Sequence, residues 1–438
     1  MSLRERSDTL AAMNVGRAVA ASVIVLSLTA CATQDTTVDV DGTWVGTITT
    51  EGNVTTVVNA SGSVWSGPAT MIEEASIGVE SGDDNYMFAR LSSVYATDDE
   101  IYVADNTPAL RVFDYDGNHV RNIGAEGQGP GEFQRPTWVA ALPDGRVLVV
   151  AGRNRINVYG PGEDETGTWE MGMHMCCLHP MVVTAGGVAW IEHGVVNQER
   201  RTYDPAWLPH GPDGPGQPLI VPKYDYERWT LRFNDRDIEA IPNAPEIVHQ
   251  MSPTGVLVAG SSDAYRFEII SPDGPKTVVE RYWDPVEVSA TELDYGRRLI
   301  PARYARNEAG ADAGLDWDGR LPTHKPAFGW FLTTHEGDIW VIRDGPTEEI
   351  EGCDPSEMVP LPAGVNGPDR PRRCFRGSYI IDAFDAAGRY LGEVEFPGGG
   401  MPLPALSYVR GDTLVTRAED EAGTIMVKRY RLLLPGAE

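Results

Sequence analysis

The sequence predicts an all-β protein made of six similar units, each of about four strands. One recurring strand pattern starts at residues 101, 147, 188, 256, 339 and 413 and reads IYVAD, VLVVA, VAWIE, VLVAG, IWVIR and TLVTR. Five of these six strands follow a turn that contains Gly or Asp, such as PDGR or EGD. Several are followed by two apolar strands joined by a DG or AG turn, which is a hairpin signature. Together these observations predict a six-bladed β-propeller with four-stranded blades.

The spacing of the repeats predicts where the chain carries insertions. The starts are separated by 46, 41, 68, 83 and 74 residues, and the longer spacings indicate loops at 193–245 and 285–325. Surface loops tolerate such insertions at small entropic cost. Ser289 and Glu292 form a capping-box pattern, so we expect a helical insertion near 289–308 that Pro301 ends or kinks.

Two segments before the first complete blade also have predicted roles. SIGVES (76–81) is expected to supply the fourth strand of the last blade, which contains only three other strands. That arrangement joins the two ends of the ring and covers an open sheet edge. The segment TWVGTITTEGNVTTVVN (43–59) predicts an added hairpin, so we divide the chain into an accessory hairpin at 42–70 and a propeller at 71–438.

The first 41 residues resemble the leader and tether of a bacterial lipoprotein. Arginines precede the apolar run AVAASVIVLSLTA (18–30), which is too short to span a bilayer and is typical of a signal peptide over residues 1–30. The run ends in LTAC, which resembles a lipobox and implies lipidation of Cys31; the alternative is an ordinary signal peptide. Residues 31–41 then form a polar tether. We expect an extracytoplasmic, membrane-anchored protein, at the outer membrane and on its periplasmic side in a Gram-negative cell.

The remaining cysteines fall into two pairs. Cys353 and Cys374 flank a Pro- and Gly-rich loop, and export to an oxidising compartment favours a disulfide between them. Cys176 and Cys177 lie in EMGMHMCCLHPM (170–181). Period-two alternation places three methionines on one strand face and His174 with Cys176 on the other, which disfavours one shared metal ion. A disulfide, free buried thiols and a metal site all remain open here; no metal and no cofactor are predicted.

The charge of the chain limits its partners. The formal net charge is −28, which argues against nucleic acid because phosphate backbones bind clustered Lys and Arg. The sequence predicts contact with a membrane only through the lipid anchor. A small anionic molecule or another protein is the expected partner.

One end of the propeller channel is predicted to be basic. Inner strands begin at X-Pro pairs in five blades, and an offset of 46 residues places Arg90 opposite Pro136. Proline is acceptable at a strand start because no ladder bond is lost there. The predicted anion-binding residues are therefore Arg90, Arg135, His179 and Lys325, with Arg suited to carboxylate or phosphate. The alternative is that these residues pair with nearby Asp and Glu.

A family resemblance supports the fold. Residues 87–160, which include IYVAD, VFDYDG and GQGPGEFQRP, resemble two successive NHL-type repeats of exported bacterial six-bladed β-propeller lipoproteins. The resemblance implies the fold and little about the ligand. Propellers resembling gluconolactonases hold a cation on the axis, but the X-Pro positions here are Arg, His, Ala, Lys and Leu. We therefore favour a binding module, with a hydrolase or lyase at the same mouth as the alternative.

Overall fold

The repeated strand pattern forms antiparallel sheets in the computed structural model. The structure describes residues 44–105, 107–129, 131–151, 155–161, 165–171, 181–197, 202–234, 236–304, 314–361, 367–396, 406–420 and 422–436. In the first repeated strand, Ile101, Tyr102 and Val103 are buried. Both faces of an inner sheet pack against neighbouring sheets, and this explains the continuous apolar runs.

A hairpin precedes the blades, as its sequence suggests. It consists of β1 (Val45–Glu51) and β2 (Val54–Ser61). β2 pairs in parallel with residues 276–281 and so extends a blade from its outer edge. The Trp44 indole is fully buried and donates a hydrogen bond of 2.8 Å to Asn59 Oδ1.

The third strand, β3 (Ala69–Ile77), has the role that was predicted for SIGVES. Only Ser76 and Ile77 of the predicted stretch belong to it, because the strand begins seven residues before Ser76 and ends at Ile77. It pairs antiparallel with residues 427–433 and in parallel with residues 394–395. Strand β3 thus completes the last blade of the chain.

Blades 1 and 2 are four-stranded antiparallel sheets in which each strand is the neighbour of the next. In both, the first strand lies innermost, and a short turn leads to the strand of the repeated pattern. Blade 1 consists of β4 (Ser93–Ala96), β5 (Glu100–Ala104), β6 (Leu110–Asp114) and β7 (His119–Ile123), and blade 2 of β8 (Pro136–Ala141), β9 (Val147–Ala151), β10 (Arg155–Tyr159) and β11 (Glu165–Glu170).

Blades 3 and 4 repeat this order and are separated by a small hairpin. In blade 3 the outer position is shared by two short strands that both pair with the third strand. The strands are β12 (Met181–Val183), β13 (Ala189–Asn197), β14 (Thr202–Gly211), β15 (Gly214–Pro215) and β16 (Leu219–Ile220) in blade 3, β17 (Leu231–Phe233) and β18 (Arg236–Ile238) in the hairpin, and β19 (Ile247–Met251), β20 (Leu257–Ser261), β21 (Arg266–Ile270) and β22 (Lys276–Arg281) in blade 4.

The helical insertion and blades 5 and 6 complete the ring, so the described strands form six blades. The outer strands of blades 5 and 6 pair through β3, which joins the two blades into one eight-stranded sheet. The insertion before blade 5 contains α1 (Ala290–Tyr304) and β23 (Leu315–Asp316). Blade 5 consists of β24 (Trp330–Thr333), β25 (Ile339–Glu349), β28 (Phe375–Phe384) and β29 (Tyr390–Glu395), and the excursion between β25 and β28 forms a separate sheet of β26 (Met358–Val359) and β27 (Arg370–Pro371). Blade 6 consists of β30 (Ser407–Arg410), β31 (Thr413–Glu419) and β32 (Ile425–Leu433) with β3.

The helix begins as its capping box predicts. The Ser289 backbone N–H donates to Glu292 Oε2 at 3.0 Å, and the Glu292 N–H donates to Ser289 Oγ at 3.2 Å. Pro301 does not end the helix, which continues to Tyr304. Among the described residues, no helix is both long and apolar enough to cross a bilayer.

The insertions build one cap, formed by β17, β18, β23, α1, β26 and β27. β17 pairs with both β18 and β23. Leu231, Ile241 and Ile300 form a small buried core that ties this sheet to the helix. The Tyr295 ring lies against the Phe375 ring with centroids 5.6 Å apart. Strand direction places every cap segment at the end of the blades where the inner strands begin.

The inner strands β4, β8, β12, β19, β24 and β30 surround an axial channel. We call the end where they begin the upper mouth and the end where they turn into the second strands the lower mouth. The cap therefore lies at the upper mouth, near blades 4 and 5.

Candidate functional site

The axial channel is lined by all six blades. The space along its wall is about 540 Å³, which includes space open to solvent. Among the described lining residues none is charged, and the polar and aromatic ones include Ser93, Tyr95, Trp138, Gln250, Ser407 and Tyr408. The Trp138 Nε1–H group is buried and has no hydrogen-bond partner among the described residues. A channel of hydroxyl, amide and aromatic groups suits an uncharged part of a ligand.

Two of the predicted basic residues, Arg90 and Arg135, precede the inner strands of neighbouring blades at the upper mouth. Arg90 and Arg135 each lie seven residues before the residue whose N–H closes the first turn of the blade, Thr97 in blade 1 and Leu142 in blade 2. The two blades are in contact here, because Ser92 Oγ donates to Pro136 O at 3.0 Å. Both arginines are exposed, and neither has a hydrogen bond or ion pair to another residue in the described ranges.

Lys325 does not belong to an open basic ring. Its ammonium lies 2.9 Å from Glu292 Oε1 and donates to Gly345 O at 2.7 Å. The side chain is only 3 % exposed, since the helix of the cap covers it. For this residue the alternative interpretation is the correct one: the charge is used in a structural ion pair.

The X-Pro pairs also do not share one level of the channel. Pro136, Pro245 and Pro326 precede the turn-closing residues Leu142, Ser252 and Thr334 by six, seven and eight residues. A ring drawn through these pairs therefore joins positions of different height. His179, the fourth predicted residue, lies outside the described residues.

A second polar cluster occupies the lower mouth and was not predicted. Arg410 can only donate, so its guanidinium bonds to a lone pair on His335 Nε2 at 3.1 Å. His335 is then neutral and donates its Nδ1 proton to the Tyr408 hydroxyl at 3.0 Å. Burial, and secondly the charge of Arg410, lower the pKa of His335. Arg410 also donates to Asp98 at 2.7 Å, so blades 5, 6 and 1 are joined at this mouth.

The tyrosine of this cluster reaches the channel wall. The rings of Tyr408 and Tyr95 are 4.2 Å apart, and their hydroxyl groups hydrogen-bond. Tyr95 in turn donates to Ala141 O at 3.4 Å, on blade 2. Burial raises the pKa of both phenols, so they act as neutral donors. The sequence held no motif for this cluster, because its members come from three separate repeats.

Blades 4 and 5 share a third polar cluster, buried between the sheets. Asp382 is fully buried and accepts hydrogen bonds from Tyr265 at 2.7 Å, Arg343 at 2.9 Å and Tyr390 at 3.0 Å. Every carboxylate oxygen is thus satisfied. The cluster fixes the interface of the two blades and offers no open position for a ligand.

The cysteine predictions have different outcomes. Cys353 and Cys374 form the predicted disulfide, with Cα atoms 5.5 Å apart. Cys176, Cys177 and His174 lie outside the described residues, so the three alternatives for that stretch stay open. Met171 is described, and it is buried in the apolar core between blades 2 and 3. In the described ranges, no group of three His, Cys, Asp or Glu side chains is arranged to hold a metal ion.

Comparison with known proteins points to the same architecture. A family model described as "6-bladed beta-propeller" matches residues 49–141. No curated protein matches the sequence. Similar solved structures include a protein from Bacteroides fragilis described as exported, with 8 % identity, a TM-score of 0.40 and coverage of 83 % of this chain and 94 % of that one.

Two further structures show weaker similarity. Virginiamycin B lyase from Staphylococcus aureus, in an inactive variant with quinupristin, has 10 % identity, a TM-score of 0.35 and coverage of 82 % and 98 %. A protein of unknown function from Bacteroides caccae has 12 % identity, a TM-score of 0.30 and coverage of 69 % and 81 %. Similarity at this level carries no argument, so the assignment rests on strand pairing and the matched family model. By those two criteria the chain is a six-bladed β-propeller.

Proposed function

We propose that this chain is an exported, lipid-anchored binding module that holds a small anionic ligand at the upper mouth of its channel. Arg90 and Arg135 bind the anionic group in this proposal, and the channel receives the uncharged part. Export and anchoring rest on residues 1–31 of the sequence. The Cys353–Cys374 disulfide supports an oxidising compartment.

The observation that carries the proposal is the state of the two arginines. In a chain of net charge −28, most described arginines pair with a carboxylate, as Arg111 does with Asp105 at 3.0 Å. Arg90 and Arg135 precede the inner strands of adjacent blades and have no such partner in the described ranges. Two guanidinium groups so placed repel each other when the site is empty, and an anion between them removes that repulsion.

Calorimetric titration tests the proposal. Succinate, a sugar phosphate and sulfate are titrated into the full-length wild type and into Arg90→Ala and Arg135→Ala. Loss of one charge-assisted hydrogen bond corresponds to about 1.5–3 kcal/mol, so we expect each substitution to weaken binding roughly tenfold to a hundredfold. Arg232→Ala, which removes another exposed arginine on the cap, is the control and should bind as the wild type does.

Two outcomes would contradict the proposal. Absence of binding by all three anions to the wild type would remove the site. Equal affinity in the wild type and both channel-mouth variants would move anion binding away from Arg90 and Arg135.

A further inference from the structure

A β-bulge in blade 5 breaks the regular pairing of β25 with β28 at the upper mouth. Asp344 is opposite Tyr379, and the next paired residue is Thr347 opposite Gly377. Bulges bend a strand and redirect the side chains beside them. Trp330 pairs with Ile342, two residues before Asp344. Because side chains alternate along a strand, Trp330, Asp344 and Tyr379 all lie on the same face of blade 5.

The two aromatic residues of this group form an open surface. Trp330 is 37 % exposed, although it starts an inner strand whose following residues Phe331 and Leu332 are buried. The Trp330 and Tyr379 rings are 6.5 Å apart at an interplanar angle of 69°. Exposed tryptophan at the mouth of a channel presents a flat apolar face together with an indole N–H donor.

Asp344 supplies a carboxyl group beside these rings. The side chain is half-buried, and desolvation raises its pKa, while the charges of Lys325 and Arg373 act in the opposite direction. The pKa of Tyr379 is raised, first by burial and second by the charge of Asp344. Within the described ranges, the Asp344 carboxyl, the Tyr379 hydroxyl and the Trp330 N–H have no hydrogen-bond partner. Three partly shielded polar groups on one face of blade 5 are therefore left for a ligand to satisfy.

The charges around the site select among ligand classes. A cation would approach the Arg373 guanidinium, while the charge of Lys325 is offset by that of its partner Glu292. An anion would be repelled by Asp344 itself. A neutral ligand that carries hydroxyl groups meets neither obstacle, because it can donate to the carboxyl group and accept from the indole and phenol.

We propose that Trp330, Asp344 and Tyr379 form a binding site for a hydroxyl-rich ring, such as a neutral sugar residue. The apolar C–H face of the ring stacks on Trp330, and its hydroxyl groups donate to Asp344 and accept from Tyr379. The proposal goes beyond the anion site and does not depend on it, because Arg90 and Arg135 belong to blades 1 and 2.

Saturation-transfer NMR with full-length protein in a detergent that lacks sugar groups tests the site. The probes are the methyl glycosides of glucose, galactose, mannose and N-acetylglucosamine. We expect at least one to bind the wild type with a dissociation constant on the order of millimolar, as for a small ligand with few contacts. Trp330→Ala should weaken that binding more than tenfold, and Asp344→Asn by about fivefold.

Matched controls separate the site from general effects. Tyr282→Ala removes an aromatic ring that is 74 % exposed, and Asp273→Asn neutralises an exposed turn carboxylate; both should bind as the wild type does. Arg90→Ala should also leave glycoside binding unchanged, which distinguishes this site from the anion site. Failure of all four glycosides to bind the wild type would overturn the proposal. Unchanged glycoside binding in folded Asp344→Asn and Trp330→Ala variants would also overturn the proposal.

Discussion

Lys325 and Glu292 form an ion pair that is sealed between the cap and blade 5. Their charged atoms are 2.9 Å apart, and the side chains are 3 % and 7 % exposed. Glu292 also accepts a hydrogen bond from Thr347 at 3.1 Å, while Lys325 donates to Gly345 O. One buried pair therefore connects the first turn of α1, the segment that leads into β24 and the bulge of β25.

Breaking this pair should destabilise the protein strongly. Lys325→Met keeps the volume of the side chain but leaves the Glu292 carboxylate buried without its counter-ion, which costs roughly 3–5 kcal/mol. Urea unfolding measures the loss. Asp318→Asn is the control, because its partner Arg320 is 68 % exposed and solvent screens such a pair. If both substitutions lowered the free energy of unfolding by the same small amount, Lys325 would not be part of a buried ion pair.

The histidine at the lower mouth should make stability depend on pH. The pKa of His335 is lowered in the folded protein, so the neutral form is favoured. The contribution of His335 to the free energy of unfolding is therefore complete above its pKa in the unfolded chain, about 6.5. That contribution is lost as the pH falls from about 6.5 towards the folded pKa, because the unfolded chain then binds the proton more readily. His335→Gln keeps an acceptor for Arg410 and a donor for Tyr408 but cannot titrate.

The comparison of wild type with His335→Gln at pH 8 and pH 5.5 isolates this effect. We expect the stability of the wild type relative to the variant to be lower at pH 5.5. All other titrating groups are common to both proteins and cancel in the difference. A difference that stays constant between the two pH values would refute the assignment of a neutral, partly buried His335.

The disulfide should stabilise the long loop of blade 5. Cys353 and Cys374 are 21 residues apart, and in the chain-entropy model closing such a loop contributes about 3 kcal/mol. The double variant Cys353→Ala/Cys374→Ala should unfold at lower urea concentration than the wild type. Adding a reductant should lower the wild-type midpoint towards that of the variant and leave the variant unchanged. A variant as stable as the oxidised wild type would contradict this.

The lipid anchor predicted from LTAC can be tested in cells. Cys31→Ser should abolish incorporation of labelled fatty acid, because the acceptor thiol is lost. Cys177→Ser serves as the control and should keep the label. Undiminished labelling of the Cys31 variant would show that the chain is anchored in another way or not at all.

The sequence predicted the fold well because propeller blades are built from local pairings. Each repeated strand, such as Glu100–Ala104 or Thr413–Glu419, pairs with the strand before it through a short turn whose Gly or Asp is visible in the sequence. The pairings between distant segments were harder. β2 joins blade 4 in parallel, and no turn signal records that contact. The bounds of β3 were missed because Glu73 and Glu74 interrupt its apolar alternation.

The candidate site shows where such prediction stops. The offset of 46 residues that placed Arg90 opposite Pro136 holds for the second strands, but the turn-closing residues Thr97 and Leu142 are 45 residues apart, because the first turn of blade 2 is one residue longer. Lys325 could not be judged, since its partner Glu292 comes from an inserted helix whose docking position depends on tertiary packing. The Trp330, Asp344 and Tyr379 group depends on a bulge, which shifts the register by local geometry that a single sequence does not reveal.

The closure of blade 6 has a consequence for biosynthesis. Strand β3 leaves the ribosome early, yet its antiparallel partner β32 begins 348 residues after β3 ends, from 425 minus 77. During elongation both edges of the nascent β3 are therefore unpaired, and an unpaired strand edge can pair with another copy of the chain. Glu73 and Glu74 later bond to Lys428 and Arg429 at 2.8 and 2.6 Å. Until those cations are synthesised, the negative charges of Glu73 and Glu74 on separate nascent chains repel each other, which opposes pairing between two copies of β3.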